Sequence, residues 1–77
     1  MGHMNFVGID VAKNSMEVTV DGGNESWNFS NDESGLVKLV KKMKKFLPFL
    51  IVLEATGGYE SMVVASLQFK GFSLSGY

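Results

Sequence analysis

Phe6-Val7-Gly8-Ile9-Asp10 and Phe49-Leu50-Ile51-Val52-Leu53-Glu54 are two short apolar runs, each closed by an acid. A carboxylate at the end of a buried strand is costly unless something compensates it. Two of them in one small chain call for a common reason. If the runs are neighbouring parallel strands, the acids stand side by side at one rim of a sheet. Strands lie about 4.8 Å apart, a spacing that lets two carboxylates share a divalent cation.

The segments around these runs predict an α/β fold. The first strand spans Asn5 to Val11, and Ser15 to Asp21 alternates Met16, Val18 and Val20 with Glu17, Thr19 and Asp21. Asp21-Gly22-Gly23-Asn24 reads as a hairpin turn, and Glu25 to Ser30 as a third strand with Trp27 and Phe29 on one face. The period then changes. Ser30-Asn31-Asp32-Glu33 has capping-box spacing, and Leu36, Leu39, Val40, Met43, Phe46 and Leu47 recur at helical intervals. Lys38, Lys41, Lys42 and Lys45 take the opposite side, and Pro48 ends the helix. Phe49 to Leu53 then reads as a central strand buried on both faces.

Thr56-Gly57-Gly58 is a turn into a second helix from Tyr59 to Lys70, with Tyr59, Met62, Val63 and Leu67 as its apolar stripe and Gly71 as its terminator. Phe72-Ser73-Leu74 opens a fifth strand. The order is β-β-β-α-β-α-β. A right-handed second crossover gives strand order 3-2-1-4-5, with both helices on one face and the other face bare. The bare face predicts self-association into a homo-oligomer.

Composition narrows the chemistry. Seventy-seven residues allow one small domain, and 45% hydrophobic content is rich for that length. There is no cysteine, which excludes disulfides and thiolate metal sites and fits a cytoplasmic setting. The single histidine, His3, lies in Met1-Gly2-His3, which reads as a tag remnant before a natural start at Met4. Imidazole-based zinc or triad chemistry is therefore unsupported. No stretch approaches the roughly 18 apolar residues of a membrane span. A net charge of −1 gives no global attraction to nucleic acid, so any such surface is local. The phosphate loops of the dinucleotide and Walker types are missing.

Phosphodiester chemistry with two hard cations requires clustered carboxylates. Asp10 and Glu54 supply two, while Glu17, Asp21, Glu25, Asp32 and Glu33 fall on strand exteriors, turns or helix starts. Glu60, six residues after Glu54, is the best candidate for a supporting role. Lys13 could meet a phosphate, neutralise Asp10 or simply be a solvated turn residue. Gly57 and Gly58 could bring backbone N–H groups to a phosphate or only make a tight turn. Tyr59 sits beside the site and could stack on a base.

Gly8-Ile9-Asp10-Val11-Ala12-Lys13, Phe29-Ser30-Asn31 with Gly35-Leu36, and Leu53-Glu54-Ala55-Thr56-Gly57-Gly58-Tyr59-Glu60 together resemble the N-terminal domain of DEDD-type insertion-sequence transposases, the class that includes the Piv DNA invertase. The resemblance runs from about Met4 to Tyr77. It implies a RuvC-like, ribonuclease-H-type fold whose four acids bind magnesium, or manganese in its place. Asp10 and Glu54 match the first two acids. The remaining two, and a serine-bearing C-terminal domain, would follow Tyr77. Residues 4–77 would then be the N-terminal part of a catalytic domain truncated after its fifth strand, inactive alone and binding metal weakly. Lys13, Thr56, Gly57, Tyr59 and Glu60 are the supporting or substrate-contact candidates. The implied partners are DNA and an element-encoded guide RNA; no membrane is involved. Two other readings compete. One is a non-catalytic module that binds nucleic acid or protein through Lys38 to Lys45. The other is an actin-like ATPase or sugar kinase, whose glycine- and threonine-rich hairpin Ala12-Lys13-Asn14-Ser15 does not reproduce.

Overall fold

The computed structural model describes residues 6–21, 23, 25–46, 48, 50–55, 57–72 and 74–75. The elements are β1 (Phe6–Val11), β2 (Ser15–Val20), β3 (Glu25–Ser30), α1 (Glu33–Phe46), β4 (Leu50–Ala55) and α2 (Ser61–Phe69). β1 pairs antiparallel with β2 and parallel with β4, and β2 pairs antiparallel with β3. This gives a mixed four-stranded sheet in the expected order β3-β2-β1-β4, consistent with a ribonuclease-H-like α/β fold. Beyond β4 the expected fifth strand reduces to Leu74–Ser75, here β5, which pairs in parallel with Ile51 and Val52. Two residues do not make a full strand, and Ser73 lies outside the described residues.

Strand alternation sorts the side chains onto two unlike faces. Val7, Ile9 and Val11 of β1, Met16, Val18 and Val20 of β2, and Ile51 and Leu53 of β4 are buried. They form one core with Leu36, Leu39 and Met43 of α1 and Val63, Val64 and Leu67 of α2. Both helices therefore cover the same face. Trp27 and Phe29 of β3 close its edge, where Trp27 meets Phe46 at 5.2 Å between ring centroids and carries the Lys42 ammonium 4.7 Å above its ring. No helix among the described residues is long and apolar enough to cross a membrane.

Several local expectations are corrected. β4 is not buried on both faces. Leu50 and Val52 are only half-buried, because no helix covers the face they share with Glu54. The strand also runs on through Glu54 to Ala55, while Phe49 falls outside the described residues. The apolar stripe of α2 is Val63, Val64 and Leu67. Tyr59 precedes the helix, and Met62 is turned outward. The second helix ends as expected near Gly71, through paired hydrogen bonds from Gly71 N to Gln68 O (2.9 Å) and Phe72 N to Leu67 O (3.1 Å).

The start of α1 shows how tertiary pairing overrides a local pattern. Ser30 belongs to β3, where it pairs with Ser15, so it cannot cap the helix. Asp32 does so instead. Its Oδ1 accepts from the Gly35 N–H at 2.8 Å and from the Ser30 hydroxyl at 2.8 Å, and its carbonyl accepts the first helical bond from Leu36 N at 2.9 Å. The Gly35 bond, the Ser30 bond and the nearby Lys38 charge together hold the Asp32 carboxyl below the ordinary aspartate range. Gly35 is where α1 presses onto the end of β3. A Cβ there would lie 1.7 Å from the Ser30 carbonyl oxygen, which is backbone and has no room to yield.

Gly35→Ala is expected to destabilise the domain by about 1–3 kcal/mol through this overlap, lowering Tm by about 4–8 °C per kcal/mol for a chain of this size; calorimetry checks it. Asp32→Ala should lower Tm at neutral pH through loss of the cap. Because the folded pKa of Asp32 is depressed, its charge contributes above the unfolded value of about 3.9. The wild-type advantage over Asp32→Ala should therefore shrink as pH falls through the folded pKa, a trend visible in Tm measured from about pH 7 down to about pH 2.

Candidate functional site

Asp10 and Glu54 occupy matching positions on adjacent parallel strands, each second from the carboxyl end of its strand. The register Ile9↔Leu53, Asp10↔Glu54, Val11↔Ala55 sends both carboxylates to the face without helices, and both are exposed. Neighbouring strands lie about 4.8 Å apart. The acids thus share one rim of the sheet.

Glu17 stands in the same row. It is the antiparallel partner of Asp10, and the alternation of β2 turns it to the open face as Met16 and Val18 turn inward. From the sequence alone Glu17 reads as a strand exterior. The signal that would have found it is the short connection Ala12–Asn14, closed by Ala12 N donating to Ser15 O at 2.9 Å. Counting outward from that turn places residue 17 opposite residue 10. Three carboxylates therefore cross the sheet on β2, β1 and β4. Like charges set directly opposite one another destabilise a sheet, so the row opposes folding unless a cation or solvent relieves it. Among the described residues, no three His, Cys, Asp or Glu side chains converge tightly enough to hold a metal ion.

The acids border a shallow 410 Å³ depression, with Gly8 as its floor and Phe6, Thr19 and Val52 on its sides. A side chain at Gly8 would crowd Thr19 Oγ1 at 3.2 Å. The missing Cβ is what leaves the central strand open between Thr19 and Val52.

The loops that follow the two acid-bearing strands are joined by Asn31. Its Nδ2 donates to Ala12 O at 2.8 Å, after β1, and to Tyr59 O at 3.1 Å, after β4, with Lys13 O at 3.5 Å. All three neighbours are carbonyl oxygens, so only the NH2 end of the amide can face them. The backbone N–H of Asn31 also donates to Asn14 O at 3.1 Å. One side chain on the β3–α1 connection thus fixes the chain just beyond both acids. Asn31 Oδ1 and Glu60 Oε1 are buried with no hydrogen-bond partner among the described residues, two acceptors left over at this junction.

The supporting candidates divide. Lys13 is exposed in the β1–β2 loop, with its carbonyl toward Asn31. Gly57 and Gly58 adopt φ of 79° and 78°, and a Cβ on Gly57 would strike the Tyr59 ring at 2.8 Å. Tyr59 is 44% exposed beside that turn. Glu60 is half-buried and begins α2 without a side-chain cap. Thr56 lies outside the described residues.

A search among curated proteins returned no match. A family model described as a transposase, that of the DEDD transposases of the IS110 class, matches residues 7–75. The match takes in β1, β4, both helices and the Asn31 junction, and with it the chain belongs to the IS110-class DEDD transposase family.

Proposed function

We propose that this chain supplies two carboxylates, Asp10 and Glu54, to a divalent-metal centre that cleaves and transfers DNA phosphodiesters in the parent transposase. The observation that carries the reading is the in-register placement of the two acids on neighbouring parallel strands, on a face that no helix blocks. Exposed carboxylate oxygens are the donors that magnesium or manganese prefers. The donor chemistry fits, but two such groups do not enclose an ion, and the family's further acids would complete the shell. When bound, the metal would stabilise charge on the phosphate and generate the nucleophile at neutral pH. Asp10 and Glu54 would hold it at the rim. Asn31 would keep the two following loops from shifting the rim, and Gly8 would leave room for a substrate backbone to approach. A metal between the acids also accounts for a like-charge row that folding alone disfavours.

The remainder of the reading rests on the family. The sheet would be part of a RuvC-like, ribonuclease-H-type domain, with β5 as its fifth strand. DNA would be the substrate, an element-encoded RNA would direct it, and the working form would be a homo-oligomer.

Asp10→Asn and Glu54→Gln in the full-length parent should each reduce DNA rearrangement by about a hundredfold or more, with unchanged circular dichroism and Tm no lower than wild type, since each removes a like-charge contact. Rearrangement retained in both variants would overturn the proposal and favour a non-catalytic module. Calorimetric titration of residues 1–77 should show only millimolar magnesium affinity; tight stoichiometric binding would contradict a two-carboxylate share of the site.

A further inference from the structure

The outward side of α2 remains uncovered by either the core or the acid rim. Ser61–Phe69 reads SMVVASLQF and holds no charged side chain. A helix with a second apolar stripe has more surface to bury than one contact with the sheet can cover. Only Val63, Val64 and Leu67 reach the core, while Met62 is 50% and Phe69 85% exposed. On the neighbouring helix Val37 is likewise exposed, one turn from the half-buried Val40.

Val37 and Val40 of α1 face Met62, Ala65 and Phe69 of α2 across a cleft of 540 Å³ that runs between the two helices. The α2 positions follow the i, i+3, i+7 spacing of a second apolar stripe, the geometry that receives a third helix. The rim is cationic. Lys41 and Lys44 line the α1 side and Lys70 lines the far end, against Glu33 as the single acid among the described lining residues. The Lys70 ammonium lies 5.7 Å from the Phe69 ring centroid, which keeps charge next to the most exposed apolar group. This local excess of positive charge stands out in a chain whose net charge is −1.

We infer that the α1–α2 cleft is a docking groove for an acidic amphipathic helix of a partner polypeptide, whose apolar stripe covers Met62 and Phe69 while its flanking carboxylates meet Lys41, Lys44 and Lys70. Helix-in-groove recognition uses this combination of aliphatic floor and charged rim. A second copy of the chain fits less well, because two-fold pairing would set one lysine rim against another. Nucleic acid also fits less well, because base stacking needs aromatic platforms and Phe69 is the single aromatic residue lining the cleft among the described residues. The groove lies on the helix-covered side of the sheet, opposite the acids, so its occupation leaves the rim accessible.

The test is a displayed library of helix-stapled 16-residue peptides with apolar residues fixed at i, i+3 and i+7 and flanking positions randomised between Glu, Gln and Lys, sorted against the full chain. Glu-flanked peptides should be enriched. The best of them should shift the NMR signals of Val37, Val40 and Met62, and should bind about tenfold or more weakly to Phe69→Ser, a change at an exposed position that spares the fold. Lys41→Glu with Lys44→Glu should turn the preference toward Lys-flanked peptides. No enrichment, enrichment of Lys-flanked peptides on the wild-type chain, or shifts outside the cleft would overturn the inference. So would a twelve-nucleotide single strand that moves the same signals when no peptide does. Self-association of the free chain that Phe69→Ser abolishes would overturn it in favour of a second copy.

Discussion

Parallel pairing of β1 with β4 in one register is the constraint on which the rest of the molecule depends. β1 is hydrogen-bonded on both sides, to β2 and to β4, and its inward residues Val7, Ile9 and Val11 are all fully or almost fully buried. A slip of one residue in a strand exchanges its two faces. In β1 that slip would drive Asp10 into the helix-covered core and expose three aliphatic side chains. The apolar side of the sheet therefore sets the register, and the register sets where the acids stand. Nothing at the rim needs to stabilise its own placement. The core does so from the opposite face.

This division explains how a small chain tolerates three carboxylates in a row. They project from a face that carries Gly8, Thr19 and Val52 but no helix, so water solvates them and the burial penalty is avoided. The remaining cost is mutual repulsion. Asn31 links this side to the helices: its amide joins the chain after β1 to the chain before α2, while its backbone N–H reaches the β1–β2 loop. Asp32, the next residue, caps α1, and Gly35 lets that helix approach the end of β3. Asn31, Asp32 and Gly35, within five residues of the end of β3, thus connect rim, loops and helix start through short polar contacts rather than apolar packing.

Much of the architecture was legible because periodicity is a local property. The alternation of Met16, Val18 and Val20, the helical spacing of Leu36, Leu39 and Met43, and the stop at Gly71 all survive in the structure. The failures have physical causes. Ser30 has capping chemistry, but its place in the β3 ladder took precedence and passed the role to Asp32. Met62 belongs to an apolar stripe, but α2 has two, and only contact with the sheet decides which is buried. The turn after β2 takes positive φ at Gly23 (111°), as its glycines predict, and also at Asp21 (50°), whose backbone is held by Phe6 across the end of the sheet.

By itself the sequence determined the kind of each element, the pairing of Asp10 with Glu54 as strand-ending acids, and the family to which the motifs belong. These follow from residue type and spacing, which the chain carries wherever it folds. Tertiary structure alone decided that Asn31 ties the loops and that an apolar cleft opens between α1 and α2. Each of those depends on residues far apart in sequence meeting across strands or helices, and such distances are set only when the core closes.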